Sequence, residues 1–123
     1  MSQVLVIEDN PSLRGILKLN SIKLLGADVI EKETVADAVS FIQILPGIDL
    51  IICREKMHGS FELITALMSA KLSIPLIWIG QKQPLYKSIS MLPVDSTWEK
   101  VLDEAGKILK VEVKNKINEE DSG

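Results

Sequence analysis

Four short apolar runs constrain this chain more than any other feature: residues 4–7, 49–53, 74–79 and 88–92, with a weaker amphipathic candidate at 27–31. They are rich in branched side chains and nearly continuous in hydrophobicity, the pattern of strands buried on both faces and not of strands with one wet face. Such strands belong to a parallel sheet, and a parallel sheet needs helices to carry the chain back between them.

The intervening segments supply those helices. Asn10-Pro11 opens a run of Leu13, Ile16, Leu17, Ile22, Leu24 and Leu25 that Gly26 stops. Thr34 and Asp37 approximate a capping box ahead of Val35, Ala38, Val39 and Ile42, with Pro46-Gly47 as the stop. Ser60 is placed to cap a third helix with Leu63, Ile64, Leu67 and Met68 as its inward stripe. Ser96 and Glu99 are spaced to cap the last one, which keeps Trp98, Val101, Leu102, Ala105, Ile108 and Leu109 on one face. The expected architecture is α/β and three-layered, a five-stranded parallel sheet of flavodoxin-like order 2-1-3-4-5. Between Gly80 and Leu92 there is no room for an average helix with two loops, and Pro84 sits in the middle. The fourth helix is therefore expected to be shortened or absent.

At 123 residues, 46% hydrophobic and 25% charged, the chain suits one compact domain, placed at residues 1–110, with 111–123 as a charged tail or linker. Its 17 acids against 14 bases give a net charge of −3, which leaves no electrostatic source for nucleic-acid binding. No apolar stretch approaches membrane-spanning length, and Met1-Ser2-Gln3 shows no export signal, so the expected location is cytoplasmic with no membrane insertion. The single Cys53 excludes an internal disulfide, and with the lone His58 it cannot complete a zinc site. Cys53 reads as a buried, inert thiol and His58 as a surface residue. No cofactor or metal is expected.

In an open parallel sheet the functional crevice lies at the carboxyl ends of the strands, where this chain puts Glu8, Asp9, Arg54, Gly80 and Leu92. The run Val4-Leu5-Val6-Ile7-Glu8-Asp9-Asn10 resembles the opening of bacterial response-regulator receiver domains, which place an acidic pair after their first strand. Asp49-Leu50-Ile51-Ile52-Cys53 resembles their third strand, Met57 through Phe61-Glu62-Leu63 the loop and helix that follow, and Ile74-Pro75-Leu76-Ile77 the fourth strand. Leu92-Pro93 lies where the family has lysine-proline. The resemblance covers about residues 3–110, in order.

The departures bear on function. Position 54 is where the family implies a phosphate-accepting aspartate, and Arg54 has no oxygen to take a phosphoryl group. Gly80 replaces the hydroxyl residue that would bind the phosphoryl group, and Leu92 replaces the lysine that would pair with it. Magnesium loses a carboxylate ligand and meets the cation Arg54, with Lys56 close by. The expectation is a degenerate phosphorylation site made of Glu8, Asp9, Arg54, Lys56, Gly80 and Leu92, in which Arg54, aided by Lys56, pairs with Glu8 or Asp9 in place of the metal. The alternative leaves Arg54 extended into solvent.

These residues imply a pseudo-receiver that is not an enzyme: a phosphorylation-independent protein-interaction module of a bacterial signalling or localisation system. The expected partner is a protein of unspecified identity. Its binding surface is placed at Leu85, Tyr86, Ile89 and Trp98, since the family uses that side for partners. Trp98 also has a core reading, and Trp78 is expected to fill volume left by the shortened crossover. Arg14, Lys18 and Lys23 read as a solvated basic stripe. Two alternatives remain: a module for a small anionic ligand or nucleotide held by Arg54, Lys56 and Lys82, and a working receiver phosphorylated on Asp9 or Glu55. Whether further domains belong to a longer chain is left open.

Overall fold

The computed structural model describes residues 1–44 and 46–111. The elements follow in the order β1 (Gln3–Ile7), α1 (Pro11–Leu25), β2 (Asp28–Lys32), α2 (Val35–Ile44), β3 (Leu50–Arg54), α3 (Ser60–Ser69), β4 (Leu76–Ile79), β5 (Ile89–Leu92) and α4 (Trp98–Leu109). All four strand pairings are parallel, in the order β2-β1-β3-β4-β5. This is the expected flavodoxin-like sheet. No helix forms between β4 and β5, as the short spacing requires. The assignment of 111–123 as a tail falls, beyond residue 111, outside the described residues.

The two-residue period of the strands sorts their side chains onto opposite faces. Leu5, Ile7, Ile51, Cys53, Leu76 and Trp78 pack under α2 and α3. Val4, Val6, Leu50, Ile52, Ile77 and Ile79 pack under α1 and α4. The central strands are buried except at Gln3, which opens β1, and Arg54, which ends β3, whereas the edge strand β2 is half-buried or exposed.

Helix ends follow local chemistry, with two shifts from expectation. Asn10 caps α1 by accepting from the amides of Ser12 (3.0 Å) and Leu13 (3.1 Å), and Gly26 ends it in the left-handed region at φ 64°. Thr34 Oγ1 accepts from the Asp37 amide at 3.1 Å. Ser60, however, does not cap α3. Gly59 holds that position at φ 77°, and the Ser60 hydroxyl donates to the Glu55 carbonyl instead. Likewise the cap of α4 is Thr97, while Ser96 donates to the Pro93 carbonyl at 2.7 Å. In both cases a preceding turn claims the nearer hydroxyl, a local competition that side-chain type alone does not decide. Ile16, Ile22 and Met68, which fall in the apolar periodicity, are exposed. Among the described residues no helix is long and apolar enough to cross a membrane.

Candidate functional site at the carboxyl ends of the strands

Strand register assembles the site. β1 and β3 pair Val4 with Leu50 and Val6 with Ile52, and one further step along the same face brings Glu8 opposite Arg54. Arg54 Nε donates to Glu8 Oε1 at 3.0 Å. Glu8 is only 2% exposed and the Arg54 side chain 13%, so this is a largely desolvated ion pair. Glu8 Oε2 accepts from the Asn10 amide at 3.0 Å, and the Glu8 carbonyl accepts from Arg14 Nη1 at 2.9 Å. Both carboxylate oxygens are engaged within the chain.

The counter-ion expected for the acidic pair is thus Arg54, and its partner is Glu8. Asp9 is exposed, and Lys56 is exposed and belongs to no ion pair among the described residues. Arg14 is not merely solvated: besides reaching Glu8, it lies with Lys18 against Glu31 of β2, at 3.8 and 3.1 Å. A magnesium ion does not fit this donor set. Arg54 and the Asn10 amide already hold the Glu8 oxygens, which leaves Asp9 as the one free carboxylate of the pair. Among the described residues no group of three or more His, Cys, Asp and Glu gathers closely enough to hold a metal.

The β3–β4 register does the same for Glu55. Arg54 pairs with Ile79, so Glu55 lies beside Gly80, with its amide bonded to the Ile79 carbonyl at 2.9 Å. Its Oε1 accepts from the amides of Gln81 (2.7 Å) and Lys82 (2.8 Å). The Lys82 amide, then the Gln81 amide, the Trp78 indole and the Lys82 charge hold the Glu55 carboxyl below the ordinary glutamate range, outweighing a partial loss of solvent. Sequence reasoning named Glu55 only as an off-position acid. Its place next to a glycine on the neighbouring strand becomes visible once the register is known.

Trp78 is fully buried beneath this turn. Its indole N–H donates to the Lys82 carbonyl at 2.9 Å, and Phe61 packs edge-on at 5.1 Å. The ring thus supports the segment that stands in for the missing helix. Leu92 is buried, and its carbonyl accepts from the Gly80 amide at 3.0 Å. Burial, then the nearby Glu8 charge, pushes the Cys53 thiol up to about 12, consistent with an inert core thiol. His58 is exposed. A cleft of about 210 Å³ remains over the strand ends, lined by Arg54, Glu55, Lys56, Phe61, Gly80 and Val94 among others.

The residues expected to form one partner surface do not lie together. Leu85 is 89% exposed, but Tyr86 is buried and its hydroxyl donates to the Ile74 carbonyl at 2.6 Å. Ile89 packs with Tyr86 on the α2/α3 side, whereas Trp98 packs on the α1/α4 side. With the crossover helix gone, Tyr86 turns inward to cover the sheet edge, which splits the proposed patch.

No family model matches the chain, and no curated protein matches it by sequence. Solved structures do match. The receiver domain of the hybrid histidine kinase CckA is 18% identical, with 88% of this chain and 99% of that one covered at a TM-score of 0.71. The Francisella response regulator 1452 receiver domain is 15% identical, with coverages of 89% and 98% and a TM-score of 0.74. The chemotaxis response regulator CheY4 of Vibrio cholerae is 17% identical, with coverages of 88% and 98% and a TM-score of 0.74. At these identities the likeness speaks to fold, and it agrees with the sheet order β2-β1-β3-β4-β5. The chain has the receiver fold of response regulators.

Proposed function

We propose that this chain is a phosphorylation-independent protein-interaction module built on the receiver fold, working in a bacterial signalling or localisation system. The observation that carries this reading is the 3.0 Å pair between Arg54 and the buried Glu8 at the centre of the crevice. A guanidinium occupies the position of the acceptor carboxylate and consumes an acid that a metal would need. The solved neighbours, named as parts of histidine kinases and response regulators, support a signalling context.

A second groove, of about 430 Å³, offers the contact surface. It runs between the end of α3 and the β4–β5 segment, where Leu85 and the 52% exposed Met68 flank Lys71, Tyr86 and Lys87, and no acid lines it. On a chain of net charge −3 this is a locally cationic, apolar-edged surface. It suits a partner protein segment with an apolar side chain between acidic ones. The anion-ligand alternative is weaker. The crevice cleft is smaller than the ~300 Å³ at which small-molecule sites usually begin, and its Arg54 is already paired with Glu8.

The test is intact mass after incubation with magnesium and a small acyl phosphate donor. An unchanged mass is expected. A stoichiometric gain of one phosphoryl group, on Asp9, Glu55 or elsewhere, would overturn the proposal.

A further inference from the structure

The turn after β4 presents two consecutive amides, of Gln81 and Lys82, to a single oxygen of Glu55. Successive amides converging in this way form a concavity that binds anions. Gly80 makes the approach sterically accessible. A Cβ built there would overlap Cβ and Oε1 of Glu55, yet the Gly80 backbone is not in the left-handed region. Glycine is thus demanded by the crossing carboxylate and not by the chain's conformation. The same segment is fastened twice more, by the Trp78 indole at the Lys82 carbonyl and by the Tyr86 hydroxyl at the Ile74 carbonyl.

We infer that this turn is an anion site whose resident ligand is the chain's own Glu55 carboxylate, which pins the segment between Gly80 and Tyr86 over Trp78 and keeps small oxyanions out. Arg54 and Lys56 are the cations lining the same cleft, and Lys82 is the cation on the turn itself. Glu55 is therefore an internal substitute for an external anion, and the segment is held without any modification of the chain. That this anchoring presents Leu85 to a partner rests on the function proposed above; the anion site does not.

The experiment uses the full chain labelled with nitrogen-15 and reads the amide resonances of Gln81 and Lys82. In the wild type, millimolar inorganic phosphate at constant ionic strength should leave both unmoved. In Glu55→Ala both should move upfield, and phosphate should then shift them saturably. Gly80→Ala, which keeps Glu55 but displaces it, should reproduce that behaviour, and Glu55→Gln, which keeps the shape, should lose the downfield positions. On acidification the wild-type amides should move together, with a midpoint below the ordinary glutamate value of about 4.3. Phosphate shifts in the wild type as large as in Glu55→Ala overturn the inference. So do amides that ignore phosphate in the variants, which would reduce Glu55 to a loop cap. Neither readout involves a partner or phosphorylation, so failure here and failure of the proposed function are separately visible.

Discussion

The two ends of β4 contrast in how their polar groups are satisfied. At the carboxyl end, Glu8 meets Arg54, Glu55 meets two amides, and the Trp78 indole meets the Lys82 carbonyl. An incoming ligand there must first break internal bonds in partly desolvated surroundings, where an orphaned charge is costly. At the amino end, beside Ser73 and Ser88, the groove exposes Leu85, Met68, Lys71 and Lys87, whose side chains form no ion pair among the described residues. A partner there displaces only water. The polar groups of the crevice are thus engaged by the chain's own residues, and the contact surface proposed above lies at the opposite end of the same strand.

The strongest way to break this contrast is to remove what both ends rest on. Trp78→Ala deletes a fully buried ring and the Lys82 anchor together. A loss of about 3–5 kcal/mol is expected in equilibrium denaturation. A loss below ~1 kcal/mol, the lower part of the range for ordinary substitutions, would mean that the segment is held without it.

Arg54→Ala should cost about 3 kcal/mol, because it leaves Glu8 buried without its counter-ion. Adding Glu8→Gln should restore part of that stability, and a double-mutant cycle measures the coupling. Strict additivity would show that the two side chains do not act as a pair.

Tyr86→Phe isolates one tie of the segment, the hydroxyl to the Ile74 carbonyl. About 1 kcal/mol should be lost, again by denaturation.

Leu85→Glu should change stability by no more than ~0.5 kcal/mol, since the side chain is 89% exposed. Yet it should weaken a partner bound at the groove by about tenfold or more, measured by titration calorimetry. Raising salt should weaken that complex as well, while leaving the shielded Arg54–Glu8 pair little affected. A complex indifferent to both changes would place the partner elsewhere.

Much of this was legible in the residues. Continuous apolar runs with capped helical patterns between them specify a doubly covered parallel sheet, because no other arrangement buries both faces of such strands. The short Gly80–Leu92 spacing, with Pro84 in its middle, pointed to a shortened or absent fourth helix, and none forms. Arg54 could be recognised as a cation among acids, but not which acid it meets. Glu8 and Asp9 are neighbours in sequence, and only their alternation about the strand separates a buried partner from an exposed one. The expected patch of Leu85, Tyr86, Ile89 and Trp98 is divided for a tertiary reason too: Tyr86 and Ile89 pack on the α2/α3 side, Trp98 packs from α4 on the other side, and Leu85 alone is fully outward.

What the sequence determined by itself is the set of elements, their order and the presence of a guanidinium, not a carboxylate, at position 54, because periodicity and functional-group chemistry are local properties. Tertiary structure alone decided which groups meet. Glu8 reaches Arg54, and Glu55 lies across Gly80, through the register of adjacent strands. Register is set by packing the whole sheet against its helices, a balance of contacts that no single stretch of sequence contains.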